Sequence, residues 1–337
     1  MPYGKIPAEL LKDIVFKHLG VEREEVALGP SAGYDGAVID IGDRSLIVSA
    51  DPISGAKERI GWLAVNVNAN DIATFGVEPA FFLSCLLFPE KADERMLETI
   101  CSDMDRAAKN LGIAIIGGHS EVTPGLTNPI VVGCAVGLTE KDNYVTAGDA
   151  KPRDNLILTK TAGIEGTAIL AHERNKQMED ALPRTLLLNA RKFYDRISVV
   201  KDALTAFKTG GVNAMHDPTE GGISGGIHEM ADAANLGVKI FKDRIAVARE
   251  TVETSRLFDI DPLQLISSGA LLIASKPKFT AKILKRLNEE KIEASVIGEF
   301  LDSPKTRMLV NEKGRETKLI RPEQDHLWIA LQRHAKN

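Results

Sequence analysis

A mixed α/β chain built as two domains is what the sequence predicts, and three observations predict it. Short β-branched runs alternate with longer helical ones along all 337 residues, which is the pattern of a mixed α/β protein. A chain of this length with 44% hydrophobic residues can bury a full core in each of two domains. The segment Lys151-Pro152-Arg153-Asp154, preceded by Gly148-Asp149, is the strongest break, so domains are expected over 1–150 and 151–337.

Taken in order, the first periodic segment is an amphipathic helix over 8–19, followed by the loop Gly29-Pro30-Ser31-Ala32-Gly33. Strands are expected at 36–41 and 45–50, a helix over 59–76, a strand at 80–88 and a helix over 93–111. Strands at 113–116 and 130–138 close the first half. The second half opens with the strand Asn155-Leu156-Ile157-Leu158-Thr159. Helices near 165–172, 183–207 and 221–235, strands near 238–241 and 270–274, a helix over 278–289 and a last strand near 294–299 complete it.

Composition excludes several classes. The net charge of −5, with Lys and Arg spread along the chain, gives no basis for a nucleic-acid groove or an anionic membrane surface. No apolar run approaches the roughly 20 residues that span a bilayer, and Met1-Pro2-Tyr3-Gly4-Lys5 lacks the apolar region of a signal peptide. A cytoplasmic protein is expected. Cys85, Cys101 and Cys134 have no metal-ligand spacing and lie in apolar surroundings, so they read as buried, reduced packing residues.

The most informative stretch is Met215-His216-Asp217-Pro218-Thr219-Glu220-Gly221-Gly222. Asp217 reads as an N-cap, Pro218 as the first helical residue and Glu220 as the far half of a capping box. An ordinary capped helix explains these three. The glycines Gly221, Gly222, Gly225 and Gly226 each weaken a helix by on the order of 1 kcal/mol, so something is expected to approach that backbone closely. The N-terminus of a helix is a seat for anions, which points to phosphate.

The first half carries further acidic signals. Asp51 follows the apolar run Leu46-Ile47-Val48, at a strand end where α/β folds place ligands; Asp-Pro is equally a turn starter. The helix over 59–76 sets Asn66, Asn68, Asn70 and Asp71 among Trp62, Leu63, Val65, Val67, Ile72 and Phe75. Buried amides and carboxylates need partners, and either Mg²⁺ with phosphate or a helix–helix hydrogen-bond network supplies them. In Ile113-Ala114-Ile115-Ile116-Gly117-Gly118-His119-Ser120-Glu121, an apolar strand runs into two glycines that would admit a ligand or make a tight turn. No P-loop and no strand–GxGxxG–helix fingerprint occurs.

In their order along the chain these segments resemble the PurM-like ATP-binding superfamily, the AIR-synthase-related family. Gly33-Tyr34-Asp35-Gly36-Ala37-Val38 is similar to its GDDAAV loop, and Ser49-Ala50-Asp51-Pro52 to its TD(P/S) strand end. Asn70-Asp71 resembles the ND pair of the long helix, Gly117-Gly118-His119-Ser120 the GG(D/E)T turn, and Asp217 to Gly222 the D(P/I)(T/S)xGG segment. The resemblance implies a two-domain PurM-like fold, with N-terminal domains of two subunits pairing into a β-barrel and a C-terminal α/β sandwich. It implies ATP near the interface of a homodimer, bound at Asp35, Gly36, Asp51, Asn70, Gly117, Gly118, Thr219, Gly221 and Gly222. Mg²⁺ would be held by Asp35, Asp51 and Asp71, with Glu121 substituting for the acidic turn residue that His119 replaces. Asp71, His119 and Asp217 would serve phosphoryl transfer to an amide-type oxygen or another acceptor. Asn155 to Gly166 and the pair His228-Glu229 are most similar to the hydrogenase-maturation branch, HypE, which acts with maturation partners. That branch modifies a cysteine at its own C-terminus, whereas this chain ends His334-Ala335-Lys336-Asn337, so a separate acceptor is expected. A non-catalytic nucleotide-binding paralogue and a metabolite kinase of the thiamine-monophosphate kinase or AIR synthetase type are the alternatives.

Overall fold

The computed structural model describes residues 3–333; the readings made on the first two residues and on His334 to Asn337 lie outside them. The first half contains α1 (Ala8–Asp13), β1 (Val26–Leu28), β2 (Ala37–Ile41), β3 (Arg44–Ile53), α2 (Ile60–Thr74), β4 (Pro79–Phe88), α3 (Glu94–Leu111), β5 (Ala114–Val122) and β6 (Ile130–Glu140). Its strands form one mixed sheet in the order β1-β2-β3-β6-β4-β5, antiparallel except where β4 runs parallel to β5. The second half contains β7 (Asn155–Thr159), α4 (Ile164–Glu173), α5 (Asn175–Ala181), α6 (Arg184–Arg191), α7 (Val200–Thr209), β8 (Val212–His216), α8 (Gly222–Ala233), β9 (Gly237–Phe241), α9 (Arg249–Phe258), β10 (Leu272–Ser275), α10 (Pro277–Glu289), β11 (Ala294–Leu301), β12 (Arg307–Val310), β13 (Glu316–Lys318) and α11 (His326–Arg333). Its sheet runs β13-β12-β9-β11-β7-β10-β8, with β12 parallel to β9.

Alternation along β7 and β10 divides the second half into two cores. Ile157, Leu271 and Ile273 join a core that includes Leu63, Phe75 and Phe82 of the first half and Tyr194 and Phe258 of the second. Leu156, Leu158, Leu272 and Ala274 face the other way, beneath Ile223, Ile227 and Met230 of α8. Successive side chains of a strand point to opposite faces, and a strand apolar on both faces is covered on both. The two halves therefore share one core.

The helix α2 is the element between them. All fifteen of its residues are buried, because it packs on β3, β6 and α3 on one side and on α7 and β8 on the other. Burial all round explains its lack of an amphipathic stripe. The amides serve a hydrogen-bond network. Asn66 Nδ2 donates to Trp62 O and Asn68 Nδ2 to Ala64 O and Asp51 O, while Asn68 Oδ1 accepts from Asp51 N. Asn70 Nδ2 donates to Ile197 O at 2.9 Å and its Oδ1 accepts from Val199 N at 2.8 Å.

Several sequence expectations change. The helix expected over 8–19 stops at Asp13 and gives way to a 3-10 turn at Val15–Lys17. The single helix expected over 183–207 is α6, a 3-10 turn at Lys192–Arg196 and α7. The strand near 294–299 is followed by two more short strands, β12 and the edge strand β13, that the sequence reading did not anticipate. Cys101 is exposed on α3 and Cys85 and Cys134 are half-buried, all three free thiols. Among the described residues no helix is long and apolar enough to cross a membrane.

Candidate functional site

Acidic side chains converge where the two sheets and α2 meet. The turn before β2 supplies Asp35, β3 supplies Asp51, α2 supplies Asp71, and the residue after β8 supplies Asp217. Asp71 and Asp217 are buried. Ser49 Oγ donates to Asp71 Oδ2 at 2.7 Å, while neither oxygen of Asp217 has a hydrogen-bond partner. Ligand atoms of Asp35, His216 and Asp217 all lie within 4.8 Å of one another.

Crowded carboxylates in a dry site resist ionisation. Burial, reinforced by Asp51, Asp217 and Asp35, pushes the Asp71 carboxyl well above its ordinary range. Burial and then Asp35 do the same to Asp217, and Asp51 is pushed up to about 6 by burial and its acidic neighbours. Two cations offset this crowding. His216 Nδ1 lies 2.7 Å from Asp35 Oδ1, and its Nε2 lies 3.0 Å from Glu229 Oε2. Burial opposes the imidazolium, but Asp35 and Glu229 outweigh it and raise His216 to about 10. Lys5 Nζ sits 2.9 Å from Glu229 Oε1, and Lys5 N donates to Glu220 Oε2 at 2.6 Å. Burial works against the Glu229 charge, yet Lys5 and His216 hold that carboxyl down to about 2.

The chain of charge Lys5–Glu229–His216–Asp35 was not legible in the sequence. Its members are separated by up to more than two hundred positions, and no local motif joins them. Asp325 was missed for the same reason. Gly221 N donates to Asp325 Oδ2 and Leu327 N to Asp325 Oδ1.

Asp325 also revises the reading of the glycines. The helix begins at Gly222, after an N-cap at Gly221 in the left-handed region, so Asp217 is not its N-cap and Pro218 and Glu220 lie ahead of it. A Cβ on Gly222 would lie 2.5 Å from Leu265 O, and one on Gly226 would lie 2.8 Å from Pro218 Cβ. The close approach expected at this backbone is made by the protein's own 263–265 segment and by Asp325. Thr219 O accepts from Gly222 N at 3.0 Å and closes the loop. Gly36 is set by packing too, since its Cβ would lie 2.8 Å from Val48 O. Asn70, expected at the nucleotide, has both amide groups engaged by the backbone at 197–199.

His119 and Glu121 are not brought into this cluster. Gly117 and Gly118 do not make a turn; they continue β5 beside β4. Gly118 is required there, because a Cβ would lie 1.9 Å from Ser84 O. The strand carries His119 and Glu121 onto the exposed edge, where they pair with each other at 3.2 Å.

A two-domain mixed α/β fold with four aspartates, two buried and two half-buried, converging between its halves defines the class. The AIR synthase related family matches through its N-terminal domain over residues 33–139 and its C-terminal domain over 151–311, and the chain belongs to that family. A Methanocaldococcus jannaschii protein named for hydrogenase expression/formation is 28% identical over 302 residues, covering 88% of each chain. The carbamoyl dehydratase HypE of Bradyrhizobium diazoefficiens is 24% identical over 305 residues, covering 88% of this chain and 84% of that one. The fold is that of hydrogenase maturation protein HypE in complex with ATP, with a TM-score of 0.74 at 20% identity over 97% of each chain. It is also that of ThiL complexed with AMPPCP and TMP, with a TM-score of 0.73 at 18% identity over 96% of this chain and 99% of that one.

Proposed function

We propose that this protein is an ATP- and Mg²⁺-dependent enzyme that activates an amide-type oxygen, or another acceptor, by phosphoryl transfer in the manner of HypE. The observation that carries the reading is the convergence of half-buried Asp35 and Asp51 on buried Asp71 and Asp217, with both Asp217 oxygens unpartnered. Unpaired buried carboxylate oxygens are costly, and an all-oxygen donor set of this kind suits Mg²⁺. Asp35, Asp51 and Asp71 would hold the metal, which supplies neutralisation of phosphate charge. The imidazolium of His216, fixed by Glu229, orients Asp35. Asp217, whose oxygens have no protein partner, would offer a further oxygen beside Asp71 toward the metal through which the phosphates are held, and Lys5 brings a positive charge to the same rim.

Relatives named carbamoyl dehydratase HypE and neighbours solved with ATP or AMPPCP support this reading. The ThiL neighbour bound to AMPPCP and TMP favours a metabolite kinase as the second reading. The retained carboxylates speak against a paralogue that binds nucleotide without turnover. The division at about residue 150, a cytoplasmic location and a maturation partner belong to the same proposal, the last because a HypE–HypF complex shares the fold. So does a homodimer formed through the first sheet, in which His119 and Glu121 on the β5 edge, with Gly117 and Gly118, would reach a nucleotide lying near the interface. Purified protein with ATP and Mg²⁺ should form ADP, and Asp71→Asn should reduce the rate by at least about a hundredfold, as expected for removal of a metal carboxylate. Unchanged ADP formation in that variant would remove the metal assignment.

A further inference from the structure

The groove between α7 and α10 carries charge of the opposite sign to the chain as a whole. Lys and Arg number 42 in the sequence against 47 Asp and Glu. Yet the cavity of about 590 Å³ where these two helices pack is lined by Lys201, Lys208, Lys282 and Arg286, with Glu290 the one carboxylate among the described residues that line it. Sites for small molecules commonly enclose about 300–1,000 Å³. Lys201 and Lys208 stand two turns apart on α7, and Lys282 and Arg286 one turn apart on α10, so each helix turns one cationic face to the cavity.

The partners these cations have within the protein hold them weakly. Lys201 Nζ lies 2.9 Å from Glu290 Oε2, Lys208 Nζ 2.8 Å from Glu78 Oε1 and Arg286 Nη1 2.5 Å from Glu289 Oε2. All three pairs join exposed side chains, where water screens the attraction and holding two long side chains together costs entropy. Lys282 Nζ donates instead to the Thr209 carbonyl at 3.3 Å. A ligand that meets several of the four cations at once gains more than these separate pairs lose.

The donor set selects the chemistry of that ligand. Ammonium and guanidinium groups offer N–H donors and no acceptor, so a neutral or cationic molecule leaves them unanswered. A phosphate group accepts from several donors together, and the planar fork of an arginine matches two of its oxygens. The cations line one cavity from two helices and do not form a row, which suits a small polyanion better than an extended acidic peptide. The geometry points to this groove as a binding site for a small polyphosphate anion. Ser198 at its edge adjoins Val199, whose N–H is held by Asn70 Oδ1 at 2.8 Å, and none of the four converging aspartates lines it. The site is therefore independent of the phosphoryl-transfer reading.

Inorganic tripolyphosphate is the probe, titrated calorimetrically in low-salt buffer without Mg²⁺, so that a metal site at the aspartates is not engaged. Saturable binding at one site is expected in the wild type, weakening as salt is added. Lys282→Gln and Arg286→Gln should each weaken it by about fivefold or more, since each removes a charge-assisted hydrogen bond at an exposed site. Lys313→Gln, an equal loss of charge at an exposed position between β12 and β13, should match the wild type. No binding in the wild type, or equal weakening in all three variants, would overturn the site. Displacement of the probe by a hexaglutamate peptide at lower concentration than tripolyphosphate itself requires would overturn it as well, and would give the groove to an acidic protein segment.

Discussion

At the scale of single residues, the site is set by which charges are offset and which are not. Glu165 is the clearest case, since burial pushes its carboxyl up to about 7. A carboxyl whose folded value lies above its unfolded one keeps its proton longer in the folded state. Stability then declines as pH rises from about 4.5 to about 7, and this group removes roughly 2–3 kcal/mol over that window. Glu165→Gln should flatten the fall by that amount in urea melts taken between pH 4.5 and 7.5. A fall of unchanged size in the variant would mean that Glu165 ionises freely in the folded protein. Much at this scale was legible in the sequence: Asp35, Asp51, Asp71 and Asp217 were all singled out, and the structure gathers them. Lys5 and Asp325 were not, and Glu229 stood out only by family resemblance and not as a site residue, because a salt bridge across two hundred positions leaves no periodicity to read. His216 sits in the motif itself, but only its contacts with Asp35 and Glu229 reveal it as a fixed cation.

At the scale of elements, α3 shows what a sequence states plainly. Asp93 accepts from Met96 N at its start, and Gly112 closes it in the left-handed region, so cap signals and amphipathic spacing agree. By contrast, α2 carries no stripe, and its asparagines allowed two readings. The network reading holds for Asn66, Asn68 and Asn70, whose amides bond to backbone groups, whereas Asp71 takes only the Ser49 hydroxyl. Asn70 is the bracket that joins the halves, and Asn70→Ala would strand the buried carbonyl of Ile197 and the N–H of Val199. That loss should cost about 2–4 kcal/mol and appear as a lower urea midpoint at unchanged slope; a change under about 0.5 kcal/mol would show that water replaces the bracket. The glycine pair of β5 misled for a related reason. A Gly-Gly after an apolar run is ordinarily a turn, but here the missing Cβ at Gly118 admits the backbone of Ser84.

At the scale of the whole molecule, the shared core fixes the aspartates of the first half against His216 and Asp217 of the second. Fold class and two-part organisation were readable from alternating periodicities, whereas the common core was not, since it depends on α2 being buried on both sides. The first sheet leaves β5 as an edge with Ile115, Ile116 and Val122 exposed. A flat apolar edge invites pairing with another strand. Sedimentation equilibrium at micromolar concentration should give twice the chain mass, and Ile116→Glu should return it to the monomer; a monomeric wild type would contradict the pairing. Where the two halves meet, the converging aspartates are proposed to bind a metal–nucleotide complex. Calorimetric titration of the purified protein with AMPPCP, with and without Mg²⁺, is the decisive measurement. Binding that requires Mg²⁺ and is lost in Asp217→Asn is the expected result; binding that is equally tight without the metal, or no binding at all, would contradict a metal–nucleotide site at these aspartates.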